Sequence, residues 1–392
     1  MGVFLPDEGT AAPESLDAYQ KRGGYRGYAR ALSLDPDAII AAVEASGLKG
    51  RGGAGFPTGT KWRMVKEQAG PRYLVVNGAE GEPGSYKDRT LMARAPHRVL
   101  EGILIAARAL EAPQVLFYLN DEFQDAHQAL AAAWEECHRA NLTHIELQLV
   151  PETHVYIAGE ETALINVLMH EPAQPWQKPP YPSEKGFRGR PTAVNNVETL
   201  AAAAVVLEAG AQWFREHCPM LFSVSGDVRH PGVYEGTEGL LLSELLERAG
   251  GPRPGEHVRA VLPGGYSMPP LREDQLDVPL RPQDLRELGT GLGASIIAIG
   301  SARTFGAVGH EIMSFFARTS CAKCPVCVKG SQALRDGFEP YVNRVPSMEG
   351  AESLLLTARK YRHKGICSFL DTAARVAESL VPLMDPAGRP SV

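Results

Sequence analysis

No apolar run in this chain approaches the roughly 18 residues that a helix needs to cross a bilayer. Cysteines are sparse, 6 in 392 residues, which argues against a disulfide framework and for a reducing compartment. Charge of one sign is lacking too. The 40 Lys and Arg against 46 Asp and Glu leave a formal -6, so neither nucleic acid nor an anionic membrane surface is an expected partner. The stretch MGVFLPDEGT has no basic segment and no apolar segment, so a secretory signal is not expected. Pro6 stands where a myristoylation motif wants Ser or Thr. The histidines lack metal-ligand spacing, and no Ser-His-Asp or H-E-x-x-H arrangement supports hydrolysis. These absences lead to the expectation of a cytoplasmic protein whose membrane link, if any, runs through a partner. With 44% hydrophobic residues, the length allows roughly two to four domains with real cores.

What the chain has is four cysteines in a set pattern near its C-terminus. Cys321, Cys324 and Cys327 lie in SCAKCPVCVKG, and Cys367 follows in KGICSF. Three thiols on one tight turn can face a single cubane while a distant fourth closes it, so the spacing suits a [4Fe–4S] cluster. Zinc is the competing reading, although structural zinc sites more often draw ligands as separated pairs. Cys137 and Cys218 have no such neighbours and read as core thiols.

Upstream, DPDAIIAAVEASG reads as a helix between Asp35-Pro36 and Gly47, and KGRGGAGFPTGTKW is too glycine-rich for an element interior. YLVVN, VLFYLN (115–120) and residues 145–150 read as strands, alternating with helical patterns at 88–111 and 121–140; this is an α/β domain with a largely parallel sheet. After a helix near 197–209, FSVSGDVRHPGVYEGTEG and VRAVLPGGYS suggest a small β-grasp-like module over 216–300. From 306 onward the pattern is helical, with segments at VGHEIMSFFARTSC, 345–361 and TAARVAESLVPLM. The expected domains are 1–215, 216–300 and 301–392.

Several polar motifs carry two readings each. Gly50, Gly52 and Gly55 satisfy G-x-G-x-x-G, but the usual preceding strand is missing, so a structural loop and a phosphate cradle with Lys61 nearby both fit. NGAEGEPGSYKDR packs Glu80, Glu82, Lys87, Asp88 and Arg89 together, as a solvated salt-bridged loop or as a ligand loop at strand carboxyl ends. Glu160-Glu161 start a helical run, as helix caps or as acceptors for ribose hydroxyls. Asn195-Asn196 precede another, as an N-cap or as part of an anion site.

Taken together and in order, these segments resemble the NADH-binding, FMN-containing flavoprotein subunit of respiratory complex I, the 51 kDa subunit. Its family includes the diaphorase subunits of NAD-reducing hydrogenases and formate dehydrogenases. The resemblance covers nearly the whole chain through GGY near 23–25, SGLKGRGGAGFPTGTKW, NGAEGEPGSYKDR, YIAGEETALIN, KPPYP, NNVETL, SVSGDVRHPGVYE and the cysteine set. It implies a Rossmann-like flavin domain, a β-grasp-like SLBB domain and a helical cluster domain. It also implies that Gly52, Gly53, Gly55 and Lys61 line the flavin and dinucleotide cavity, with Asn77 reaching FMN. Tyr156, Gly159, Glu160, Asn195, Asn196 and Thr199 would complete the FMN site. Phe56, Glu82, Glu161, Lys178 and Tyr181 would hold NADH, the glutamates as positioning groups rather than acid–base catalysts. Cys321, Cys324, Cys327 and Cys367 would carry the cluster. Expected partners are a [2Fe–2S] subunit and a larger iron–sulfur subunit of a redox complex. The implied activity is NADH oxidation by hydride transfer to FMN, then single-electron transfer to the cluster.

The chain departs from the family pattern in places. Ala79 replaces an aspartate in the flavin loop, and Met64 stands where an aromatic often stacks on adenine. His170, Glu171 and Pro172 replace basic residues, and Pro325-Val326 replaces Thr-Pro between cysteines. These changes leave a second expectation, a diverged paralogue acting as an electron relay or assembly subunit.

Overall fold

The computed structural model describes residues 2–6, 12–143, 145–152, 155–293 and 295–384. Parts of the N-terminal stretch and the outer limits of the first and third expected domains lie outside them.

The first sheet joins β1 (Tyr73–Gly78), β2 (Gln114–Asn120), β3 (Glu146–Glu152) and β4 (Thr192–Asn196) in the order β3-β2-β1-β4, all parallel. Its strands are buried on both faces, as crossover helices require. Leu74 and Val76 of β1, with Val115, Phe117 and Leu119 of β2, join the core under helices Pro96–Leu110 and Val197–Ala209. The alternate residues Val75, Leu116 and Tyr118 join a second core with Ala158, Leu164 and Ile165. The order of the sheet reverses between β1 and β4. Their carboxyl ends, with Asn77 level with Asn196, therefore border the crevice where such sheets bind ligands.

Five further strands follow: β5 (Pro219–Gly226), β6 (Gly232–Thr237), β7 (Val258–Tyr266), β8 (Leu271–Arg272) and β9 (Ser295–Gly300). They form a mixed sheet, β6-β5-β9-β7-β8, in which only β5 and β9 run parallel. Helix Leu242–Arg248 covers one face through Leu242, Leu245 and Leu246. The chain ends in helices Phe305–Thr319, Pro325–Phe338, Met348–Tyr361 and Phe369–Leu380 around a core of their own. Among the described residues, no helix is long and apolar enough to cross a membrane.

The loop after β1 is not solvated. Ser223 Oγ on β5 accepts from the backbone N–H groups of Tyr86 and Lys87, and Ser295 Oγ donates to the Pro83 carbonyl. Glu80, Lys87 and Asp88 are consequently buried between the two sheets.

Candidate functional site

The crevice holds a cavity of about 720 Å³. Helix Pro36–Ser46 starts at Asp35, whose side chain accepts from Asp37 N–H, and stops at Gly47 with φ 70°. The next loop is pinched shut where Gly50 N–H donates to Phe56 O and Thr58 N–H to Leu48 O. Gly53 and Gly55 adopt φ of 115° and 64°, which only glycine takes without strain. A Cβ on Gly55 or Gly159 would meet no protein atom within 4 Å, so these two glycines leave their side-chain space to the cavity.

All but three of the cofactor-binding residues expected from sequence line this cavity: Gly52, Gly55, Phe56, Lys61, Asn77, Gly159, Glu160, Glu161, Lys178, Tyr181, Asn195, Asn196 and Thr199. Gly53 faces a smaller cavity on the other side of the loop. Glu82 is not among the residues that line this cavity. Its carboxylate accepts from Tyr156 OH at 2.8 Å and from Ser267 N–H at 3.1 Å, because the loop bends toward β7. Burial raises its pKa against those hydrogen bonds. Tyr156 is likewise turned away, edge-on to Phe315 at 4.8 Å. Spacing along the chain does not reveal which way a buried side chain turns.

The acidic pair divides its work. Glu160 is the N-cap of helix Glu161–Leu168, accepting from Thr162 N–H at 2.8 Å and Ala163 N–H at 3.0 Å. Glu161 caps nothing and instead binds Lys178 at 2.6 Å and Lys61 at 3.1 Å, while Lys178 also meets Glu160 at 3.1 Å. Burial alone would raise the Glu161 pKa, but Lys61 and Lys178 outweigh it and hold it below the usual carboxylate range. Lys178 is held high, since Glu161 and Glu160 outweigh its own desolvation. Asn77 donates to Gly159 O at 2.9 Å, tying the end of β1 to the start of this segment.

Sequence reasoning missed Thr58, Ser183 and Thr192 on the wall. Thr58 is 1% exposed and its Oγ1 has no hydrogen-bond partner, an unsatisfied polar atom buried in the wall. Its place at the start of helix Thr58–Lys66, directly after the glycine loop, was the available signal. Phe56 and Tyr181 are 44% and 47% exposed at the rim, flat faces open to a ring. Of the departures, Met64 lines the cavity, whereas Ala79 is 1% exposed inside the apolar core under the sheet.

The four C-terminal cysteines line one void with Ile157, Phe369 and Leu370. Ala322 takes φ 59° in the tight turn between the first two, and Cys324 stands at the N-terminus of helix Pro325–Phe338. Burial raises the pKa of Cys327 and Cys367, and the other thiols raise it further. Four converging sulfurs of this kind suit a cationic iron–sulfur core, whose binding would draw off their protons. Among the described residues no three His, Cys, Asp or Glu side chains gather closely enough for a single metal ion. One short segment serves both places: Ile157 faces the void and Gly159 the cavity.

Comparison with known proteins agrees with this geometry. Residues 43–205 match the family model of the Nuo51 FMN-binding domain, 221–271 the SLBB domain, and 307–384 the NADH-ubiquinone oxidoreductase-F iron-sulfur binding region. The last match decides the cysteine site for iron–sulfur over zinc. The chain is 40% identical to the second of the NADH-quinone oxidoreductase F subunits of Rhizobium meliloti (strain 1021), over 80% of this chain and 79% of the relative. It is 39% identical to the NADH-quinone oxidoreductase F subunit of Streptomyces coelicolor (strain ATCC BAA-471 / A3(2) / M145), over 92% and 84%. Among solved structures, an NAD+-reducing [NiFe]-hydrogenase in the H2-reduced state superposes with a TM-score of 0.84 at 34% identity, covering 95% of this chain. This chain spans 66% of that hydrogenase chain, and 61% of the one in the air-oxidized state.

Proposed function

The chain belongs to the family of NADH-quinone oxidoreductase F subunits, and we propose that the cavity between β1 and β4 is where it oxidises NADH. The observation that supports this most is the convergence of the glycine loop, Asn77, the Glu161–lysine cluster and Asn195-Asn196 on one crevice. When bound, FMN supplies the conversion of a two-electron hydride into single electrons, and a [4Fe–4S] cluster takes these one at a time.

The chain's own residues bind and orient. Gly52 and Gly55 admit a flat ring or phosphate closely, and Lys61 supplies a cation. Asn77, Gly159, Glu160, Asn195, Asn196 and Thr199 frame the FMN side. Phe56, Glu161, Lys178 and Tyr181 frame the NADH side, where Glu161 fixes both ammonium groups rather than moving a proton. Holding donor and acceptor within reach of each other would itself be the main catalytic contribution of these residues. Cys321, Cys324, Cys327 and Cys367 would hold the cluster. The reading as a diverged relay subunit loses a support, because Ala79 does not face the cavity.

As a relative of subunits of multi-subunit redox complexes, the chain would hand electrons to a [2Fe–2S] subunit and a larger iron–sulfur subunit. It would work in the cytoplasm, peripheral to any membrane complex. We divide it at 1–215, 216–300 and 301–392, which places all five strands of the second sheet in the middle domain. Anaerobic titration of the purified holoprotein with NADH tests the function: the flavin absorbance should bleach. A flavin that stays oxidised under excess NADH and NADPH would refute it.

A further inference from the structure

Behind the cavity wall lies a second layer of polar groups. Asn196, on the wall, accepts through its oxygen from Glu198 N–H at 3.0 Å and Thr199 N–H at 3.4 Å. Its Nδ2 donates to Asp88 at 2.6 Å. A side-chain amide has two lone pairs and two N–H groups, so three of the four positions are filled and one N–H remains. The orientation is forced, because backbone N–H groups can only donate and a carboxylate can only accept. Asn195 is fixed in the same sense: Trp62 Nε1 donates to its oxygen at 2.9 Å, which leaves its amide nitrogen only donors to offer. The oxygens of both adjacent amides are thus occupied, so what each has left to offer is a donor, not an acceptor.

The carboxylate that orients Asn196 is itself held. Lys87 Nζ binds the other Asp88 oxygen at 2.6 Å and Glu198 at 2.8 Å, with side-chain exposures of 2%, 6% and 1% for Lys87, Asp88 and Glu198. Glu80, which accepts from the Asp88 and Arg89 N–H groups, completes the polar surroundings. An ion group so far from water is a costly way to support a loop, since well-packed apolar residues often do as well. What apolar residues cannot do is force the polarity of a neighbouring amide.

We propose that Asp88, held in place by Lys87, is a positioning residue for FMN, fixing the Asn196 amide so that an N–H faces an acceptor atom of the cofactor. This role rests on the FMN reading of the cavity. Asp88→Asn would leave the new amide oxygen drawn to Lys87 and its NH2 facing Asn196, so Asn196 could no longer keep both its cap and its cavity-facing donor.

The test uses the full chain, reconstituted with FMN and followed by fluorescence quenching, with thermal melting as a check on folding. Asp88→Asn should weaken FMN binding roughly tenfold, the scale of one hydrogen bond. The exchange Asp88→Asn with Asn196→Asp restores a complementary pair and the helix cap, so it should melt like the wild type while still binding FMN poorly. That exchange decides the matter if the single variant does not fold. Wild-type FMN affinity in the exchange would overturn the positioning role alone. A wild-type chain that takes up no FMN would overturn the FMN reading and this role with it.

Discussion

Glu161→Gln is the most informative single change at the cavity. The wild-type carboxylate binds Lys178 with one oxygen at 2.6 Å and Lys61 with the other at 3.1 Å. A glutamine keeps the shape but offers one acceptor, so one ammonium must leave. The three side chains are 24–28% exposed, so solvent screens the pairs, and the stability cost should stay near about 1 kcal/mol. Glu160, not Glu161, caps the helix, which keeps the segment folded. The larger loss is in substrate handling. A charged hydrogen bond is worth about 1.5–3 kcal/mol, which predicts a fall of roughly ten- to a hundredfold in kcat/KM for NADH. The assay is anaerobic stopped-flow bleaching of the flavin over a range of NADH concentrations. Glu161 is held low and Lys178 high, so both stay charged from about pH 5 to about pH 10, and the defect should be flat across that window. The stability supplied by Glu161 is present above its unfolded pKa and lost as pH falls through its lowered folded value. That supplied by Lys178 is present below its unfolded pKa and lost as pH rises through its raised one. A variant that bleaches at the wild-type rate would refute a role for Glu161 in holding NADH.

Met64→Phe should lower the KM for NADH about three- to tenfold by placing a ring on the cavity wall, and an unchanged KM would show that nothing stacks there. Cys367→Ser should take iron from about four per chain to near none, measured by metal analysis; full iron content would remove Cys367 from the ligand set. Burial, reinforced by Asp88, pushes Glu80 up to about 7 from an ordinary value of 4.5. The folded chain then binds a proton that the unfolded chain releases, so this group lowers stability as pH rises from about 4.5 to 7. Thermal melting across that range should fall less steeply for Glu80→Gln, and parallel curves would place the proton elsewhere.

Much of the scaffold was legible in the sequence because local chemistry enforces it. Asp35-Pro36 and Gly47 bound a helix as read, and Asn196 caps Val197–Ala209 as one of its two readings had it. The alternation of Leu74, Val75 and Val76 marks a strand buried on both faces. Helix Pro325–Phe338 escaped notice, since Gly330 and Gly337 weaken its pattern; both sit where neighbouring side chains approach too closely for a Cβ. The loop around Glu80, Lys87 and Asp88 carries a solvated reading and a ligand-loop reading, and neither anticipates its burial, because charge is usually exposed. Its burial comes from a contact between sheets about 140 residues apart, for which no local signal exists. That Glu82 and Tyr156 lie off the cavity wall was hidden for the same reason, their partners Ser267 and Phe315 lying far along the chain.

The stretch that gives Ile157 to the cysteine void and Gly159 to the cavity also divides its burial between two cores, with Ile157 and Ala163 in one, Ala158 and Leu164 in the other. A partition this thin has no slack of its own. It cannot relax on one side while holding its shape on the other. Ageing or oxidised preparations should therefore sort into complete chains and empty ones, with few that keep one prosthetic group and have lost its neighbour.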